Sequence, residues 1–129
     1  MNYDPETAER IRRFLSARPH VTEKKMVGGL SFLISGNMCC GVTGPALMIR
    51  VGRDARPQAL QQPHVRPMQF AGRNLSAFVC VDPPGFAADE TLARWLHQAL
   101  AFTSTLPPKP PPPGHLTADP RPGSVIVCQ

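Results

Sequence analysis

Residues 30–51, with the sequence LSFLISGNMCCGVTGPALMIRV, decide the fold of this chain. Apolar side chains recur at every second position in three short runs, and turn-forming residues at 35–37 and 43–45 separate the runs. Alternation with a period of two between turns is typical of antiparallel strands joined by hairpins. The stretch therefore predicts three antiparallel strands, with a further edge strand around Val21–Met26.

Helical patterns lie on both sides of these strands. Asp4 before Pro5 is a good helix start, because the Asp side chain accepts a first-turn amide hydrogen bond and proline needs no donor there. Apolar residues then recur at the helical period to about residue 17. A short middle helix is predicted after Asp54, and a last helix is predicted over residues 88–104 from the periodicity around Trp95.

Two more strands are predicted between the middle and last helices, one around Met68 and the other over residues 77–81. The chain is therefore predicted to be an α+β protein. We expect two layers, an antiparallel sheet of about five strands with helices at both ends and one short middle helix. Helices covering one face of such a sheet would leave the other face presented to solvent.

The domain is predicted to span residues 1–106, because a chain of 129 residues is expected to build one core. A run rich in proline follows Leu106 and favours extended polyproline II structure over a packed core. Residues 107–129 are therefore predicted to form a disordered, proline-rich tail. Residues 124–128 are interpreted as too short to build a core element alone.

The location of the chain is expected to be cytoplasmic, without a membrane partner. Residues 1–6 lack the apolar core of a secretory signal, and no stretch approaches the roughly 18 apolar residues of a membrane span. In a reducing compartment the four cysteines are expected to be thiols. Because neighbouring strand residues point to opposite faces, Cys39 and Cys40 are interpreted as separate buried apolar residues rather than a metal or redox pair.

The charge of the chain suggests one candidate contact surface. Lysines and arginines outnumber acidic residues 14 to 9, which gives a net charge of +5. The candidate contacts for an anion or a nucleic acid are Arg50, Arg53, Arg66 and Arg73. A solvated basic surface is the alternative interpretation, and aromatic residues suited to base stacking fall instead on predicted core positions.

Catalytic and metal-binding patterns are absent from the sequence. It contains no nucleophile elbow, no paired-carboxylate constellation and no nucleotide fingerprint, and its four histidines are scattered. Gly28 and Gly29 precede a predicted strand rather than a helix, so they indicate a turn or bulge rather than a phosphate loop. We therefore expect no catalytic residue, no metal site, no cofactor and no enzymatic activity.

The segment KMVGGL at residues 25–30, followed by GNMCCGV at 36–42, resembles the N-terminal domain of the TfoX/Sxy competence regulators. Matching segments extend the resemblance over roughly residues 8–108. The signature residues are interpreted as structural: Met26, Gly28, Gly29, Gly36, Asn37, Met38 and Trp95. Val27 departs from the family, which usually has Phe there, so a role tied to that aromatic ring does not carry over.

The resemblance implies a secretion-chaperone-like, two-layer architecture without established catalytic residues. It suggests a noncatalytic regulatory or adaptor domain that contacts another protein through the sheet face or an edge strand. The alternative is a nucleic-acid-associated regulator of transcription or competence that uses the basic patch. A homodimer through the edge strand, and a small-molecule pocket between helix and sheet, also stay open. The second helical domain of the full-length regulators has no counterpart in this sequence, so competence regulation does not transfer automatically.

Overall fold

The computed structural model describes residues 3–26, 28–70, 72–109 and 126–128, and its helices follow the predicted order. The helices are α1 (Pro5–Phe14), α2 (Arg56–Ala59) and α3 (Asp89–Thr103), with a short 3-10 turn at Pro83–Gly85. The strands are β1 (Val21–Met26), β2 (Gly29–Ile34), β3 (Asn37–Thr43), β4 (Ala46–Arg50), β5 (Val65–Phe70), β6 (Arg73–Val81) and β7 (Ile126–Cys128).

All of these strands lie in one antiparallel sheet, in the order β1-β2-β3-β4-β6-β5-β7. The predicted α+β class, with helices at both ends and a short one in the middle, is confirmed. The predicted sheet of about five strands is smaller than the seven-stranded sheet of the described residues. The predicted edge segment is a full strand, and the short β7 adds a seventh.

The start of α1 follows directly from its sequence. The Asp4 carboxylate accepts hydrogen bonds from the Thr7 backbone amide at 3.1 Å and from the Thr7 hydroxyl at 2.6 Å, and Pro5 occupies the first turn. These contacts satisfy a donor that the helix itself leaves without a partner. The helix ends at Phe14, earlier than predicted, and residues 15–17 form a turn.

The main core lies between the helices and one face of the sheet. Its largest fully buried side chains include Trp95, Phe32, Ile11, Leu47 and Leu96, each at most 1% exposed. They come from α1, α3 and the central strands, so burying these apolar surfaces fixes both long helices against the sheet.

The opposite face of the sheet carries a second apolar cluster, which corrects the expectation that this face is open. Met48, Met68, Phe78 and Cys80 are buried there, with Met26 and other partly buried side chains around them. Strand β7 approaches β3, although three strands separate them in the sheet order. The sheet therefore curves back across this face and encloses its centre.

Two parts of the predicted tail contact the domain. The Lys109 amide donates to the Ser35 carbonyl at 2.8 Å, and the Asn37 side chain donates to the Pro107 carbonyl at 2.9 Å. Strand β7 pairs with β5. A three-residue strand is stable here because the edge of β5 supplies its backbone partners, which the sequence alone does not reveal. Residues 110–125 and 129 lie outside the described residues.

Among the described residues, no helix is both long enough and apolar enough to span a lipid bilayer.

The cap of α1 gives a testable prediction. Asp4→Ala should lower the free energy of unfolding by about 1 kcal/mol near neutral pH, because a first-turn amide loses its acceptor. The hydrogen bond from Thr7 lowers the pKa of Asp4 below its ordinary value. The stabilisation is therefore complete above the unfolded pKa of about 3.9 and is lost as pH falls through the folded value. Urea denaturation at neutral and acidic pH measures both effects.

Asp4→Asn is the matched control, since Asn also caps helices but does not titrate. It should remain closer to the wild type at neutral pH than Asp4→Ala. Equal stability of Asp4→Ala and the wild type at neutral pH would contradict the capping role.

Candidate functional site

A bulge in β3 places two neighbouring cysteines on the same face of the sheet. Phe32 pairs with Cys40 but Leu33 pairs with Met38, so Cys39 is an extra residue in β3. An extra residue interrupts the alternation of side chains along a strand. Cys39 and Cys40 both belong to the helix-facing core, and both are 0% exposed. The expectation that they point to opposite faces is therefore wrong.

The pKa values of the two thiols are shifted in opposite directions. A hydrogen bond from Cys40 lowers the pKa of Cys39 below its ordinary value against the opposing effect of burial, and Thr103, Arg18 and Arg50 lower it further. The bond to Cys39, together with burial, raises the pKa of Cys40 well above its ordinary value. The two neighbouring thiols thus differ in the direction of their pKa shifts, and the cause of the difference is the contact between them.

Arg50 supplies positive charge beside this pair. Its guanidinium lies 5.3 Å from the centre of the Phe78 ring and 5.8 Å from that of the Phe102 ring. One terminal nitrogen, Nη1, donates to the Met38 carbonyl at 3.0 Å. Its Nε is buried and has no hydrogen-bond partner among the described residues. Burial lowers the pKa of Arg50, and the negative charge of Cys39 opposes that shift.

Thr103, the last residue of α3, places a hydroxyl near Cys39. Thr103 is 2% exposed, and its hydroxyl makes no hydrogen bond of ordinary geometry with the described residues. The neighbouring Ser104 hydroxyl instead donates to the Leu100 carbonyl at 2.6 Å. A longer-range contact between the Thr103 hydroxyl and the Cys39 sulfur nevertheless lowers the pKa of Cys39. Buried polar groups normally have hydrogen-bond partners, so the buried Arg50 Nε, which has none among the described residues, marks this end of β4 as a candidate site.

The four predicted arginines have different environments. Arg50 is held between two aromatic rings, and Arg66 forms two hydrogen bonds to Asp82, at 2.7 and 3.1 Å. Arg53 lies exposed in the turn after β4, and Arg73 is exposed at the start of β6. Phe78 is the strand partner of Arg50, and Arg73 lies five residues before Phe78 in β6. The backbones of Arg73 and Phe78 are therefore roughly 16 Å apart along the strand. A shared anion contact for all four stays a prediction.

The signature glycines occupy positions that restrict the side chain. Gly28 (φ 92°) and Gly36 (φ 84°) adopt left-handed backbone conformations in the two turns that flank β2. A Cβ on Gly29 would lie 2.5 Å from the Val42 carbonyl oxygen, so the close pairing of β2 and β3 needs glycine there. The departure from the family at Val27 lies outside the described residues.

The other signature residues make structural contacts. The Met26 sulfur accepts a hydrogen bond from the Ser31 hydroxyl at 3.0 Å, and Met38 packs against the second cluster. Trp95 is 1% exposed, and its indole nitrogen donates to the Gly85 carbonyl at 3.3 Å. With the bond from Asn37 to the segment after α3, these contacts join separate parts of the fold.

Cys80 differs from the expectation for the cysteines. It is disulfide-bonded, whereas Cys39 and Cys40 are free, so the expectation of four thiols is wrong for Cys80. Within the described ranges, no group of three or more His, Cys, Asp or Glu side chains could hold a metal ion.

A surface depression beside the start of α1 is the candidate for a small-molecule pocket. Asp4, Thr7, Arg10 and Phe86 are among its lining residues. Asp4 already caps the helix, and Arg10 forms an ion pair with Asp89 at 3.0 Å. The side chains of Asp4 and Arg10 are therefore already engaged within the protein.

The fold and the signature contacts agree with the comparison to known families. The TfoX N-terminal domain family matches residues 13–103, and the chain belongs to that family. Comparison with curated proteins and with solved structures finds no significant match.

Sequence reasoning missed the cysteine pair and Thr103. The bulge has no signature in the alternation of apolar residues, which continues through Cys40. The available signal was Arg50, a charged residue at the end of an apolar strand that follows the cysteines along the chain.

The hydrogen bond between the two thiols is testable. Cys40→Ala should raise the pKa of Cys39, because the substitution removes the donor that contributes most to its depression. The thiolate absorbance of the purified protein as a function of pH measures this change. Cys40→Ser keeps a donor and should leave the Cys39 pKa closer to its wild-type value. A Cys39 titration unchanged by Cys40→Ala would contradict the bond.

Proposed function

We propose that this chain is a noncatalytic regulatory or adaptor domain that binds another protein through the free edge of β1. The observation that carries the proposal is the position of β1 at one end of the sheet order, where β2 is its one pairing partner among the described residues. Residues 22–25 of this strand are exposed. An edge strand offers backbone donors and acceptors to which an extended segment of a partner can add as a further strand.

The side chains of β1 indicate the chemistry of the partner. Lys24 and Lys25 are exposed and form no ion pair with the described residues. Glu23 is held by Arg12, with bonds of 2.6 and 2.9 Å. The edge is therefore effectively basic, which favours a partner segment with acidic side chains.

The same lysines favour a different protein over a second copy of the chain. Antiparallel pairing of two β1 edges would bring the lysines of one copy near those of the other. Like charges directly opposite each other destabilise strand pairing. Exposed lysines also protect an edge strand against indiscriminate pairing, so a partner must compensate their charge.

The noncatalytic part of the proposal rests on the sequence, which contains no recognised catalytic motif. A role in competence or transcription is what family membership suggests for the pathway. The domain would then act by changing the availability of its partner rather than by transforming a substrate.

A nucleic-acid role is the second candidate, and the exposure of Arg53 and Arg73 favours it. Phosphate contacts release counterions, so such binding would weaken steeply as the salt concentration rises. The net charge of +5 would assist the encounter. Arg50 and Arg66 would first have to leave their present partners to join this surface.

Two charge-reversal variants separate the candidates. One carries Lys24→Glu and Lys25→Glu in β1, and the other carries Arg53→Glu and Arg73→Glu. Both lower the net charge by the same amount at exposed positions, so each is the matched control for the other. Immobilised wild type and variants are incubated with native lysate, with and without nuclease, and bound proteins are identified by mass spectrometry.

Under the proposal, the wild type retains a specific protein after nuclease treatment. The amount of that protein bound by the β1 variant falls at least about tenfold, which corresponds to about 1.4 kcal/mol of binding free energy. The Arg53/Arg73 variant should retain it. Loss of all partners after nuclease, or loss only in the Arg53/Arg73 variant, would contradict the proposal and support the nucleic-acid role.

A further inference from the structure

The tight turn between β2 and β3 is built from backbone conformations that side chains rarely adopt. Ile34 pairs with Asn37, which leaves two residues between the strands. Ser35 has φ 49° and Gly36 has φ 84°. Positive φ at both central positions is the type I′ arrangement of a hairpin, and it is uncommon for serine. The Ser35 carbonyl takes no part in pairing the two strands, so it can accept a hydrogen bond from outside the hairpin.

The segment after α3 supplies that hydrogen bond. The Lys109 amide donates to the Ser35 carbonyl at 2.8 Å. The Asn37 side-chain amide donates to the Pro107 carbonyl at 2.9 Å. The turn therefore binds the two backbone groups on either side of Pro108. Neither hydrogen bond uses a side-chain atom of the segment, so the turn recognises the backbone of the segment rather than its side chains.

Gly36 leaves room for this backbone. A Cβ on Gly36 would clash with the Lys109 carbonyl oxygen and would lie 3.0 Å from the Lys109 carbonyl carbon. Gly72, in the turn between β5 and β6, has nearly the same φ of 80°, but a Cβ there would meet no atom of the described residues within 4 Å. Both turns need glycine for its backbone conformation. Of these two glycines, Gly36 is the one that also permits a close approach by another segment.

The prolines of the segment favour the conformation that the turn binds. Pro107 and Lys109 each precede a proline, which disfavours helical angles and favours extended ones. Proline also restricts φ at its own position, so less conformational entropy is lost when the segment docks. Proline at 108 removes no contact, because the turn binds the groups on either side of that residue. An extended segment with a central proline is therefore the ligand that this turn fits.

The present occupant of the turn is exchangeable. Residues 107–109 are exposed. Each of the two hydrogen bonds is expected to favour docking by roughly fivefold, which is a weak preference. The turn lies within residues 13–103, which match the family, whereas the segment lies beyond them. The site is therefore part of the family domain, and its occupant is not.

We propose that the β2–β3 turn is a binding site for an extended, proline-containing segment of a partner protein, and that residues 107–109 occupy it until that segment displaces them. Ser35 supplies the acceptor, Asn37 supplies the donor, and Gly36 leaves the space. The partner segment presents a carbonyl and an amide on either side of one residue, which is favourably a proline. The contact does not involve the exposed residues 22–25 of β1, so either contact can fail without the other.

Two variants of the full chain test whether its own segment competes for the site. Lys109→Pro removes the amide donor and retains an extended backbone, whereas Lys109→Ala loses the same charge and keeps the amide. The probe is the synthetic peptide LPPKPP, which copies residues 106–111. Nuclear magnetic resonance of isotope-labelled protein follows the backbone amide signals of residues 35–37 as the peptide is added up to millimolar concentration.

We expect the peptide to shift these signals and to bind Lys109→Pro about fourfold more tightly than the wild type or Lys109→Ala, because the chain's own segment then occupies the site less of the time. The peptide LPPAPP keeps the amide and should bind as tightly as LPPKPP. The peptide LPPPPP lacks the amide and should bind roughly fivefold more weakly.

Three further substitutions, each combined with Lys109→Pro, test the residues of the site. Asn37→Ala should weaken binding of LPPKPP roughly fivefold, because it removes one donor. Gly36→Ala should weaken binding at least as much, because its methyl group occupies the space of the peptide backbone. Gly72→Ala is the matched control, since it imposes a similar backbone strain without that contact, and it should bind like Lys109→Pro alone.

Unchanged signals at residues 35–37 in the Lys109→Pro variant at millimolar peptide would overturn the proposal. Equal affinity of LPPKPP and LPPPPP would contradict recognition of the backbone amide. Equal affinity of Lys109→Pro and Lys109→Ala would contradict competition by residues 107–109. An equal loss of binding in the Gly36→Ala and Gly72→Ala variants would reject the role of Gly36 in leaving space. Thermal melting of each variant confirms that the comparison is made between folded proteins.

Discussion

The extra residue in β3 is the constraint on which the two faces of this sheet depend. Without it, Met38 and Cys40, two positions apart, would share a face. The bulge at Cys39 instead places Met38 with the second cluster and both cysteines in the helix-facing core. Strand β3 thus contributes side chains to both apolar clusters. The two cysteines are neighbours on one face because the bulge interrupts the alternation of side chains.

Much of the architecture follows from local sequence signals. Asp4 and Pro5 start α1, the glycine-containing turns set the hairpins, and the apolar stripe around Trp95 buries α3. These features are predictable because their causes lie within a few residues of one another. The bulge and β7 are not predictable in this way. The bulge depends on the pairing of β2 with β3, and β7 depends on an open edge of β5.

The candidate site residues also divide into those with a local sequence signal and those that depend on contacts between distant residues. The sequence indicated Arg50 as a charged residue of interest but assigned it to an exterior patch. Its contacts with Phe78 and Phe102, and its influence on Cys39, join residues from three separate elements. Thr103 carried no signal as the last residue of a helix. Family membership fixes the domain type, whereas these side-chain arrangements depend on contacts between distant parts of the chain.

The most direct test of this account is a nuclear magnetic resonance measurement of which face Cys39 occupies. Nuclear Overhauser contacts from the Cys39 β-protons are measured in protein with isotope-labelled cysteine, threonine and methionine. We expect contacts to the Thr103 methyl group and none to the Met48 methyl group. Contacts to Met48 without contacts to Thr103 would place Cys39 on the opposite face, contradicting both the bulge and the shared thiol site.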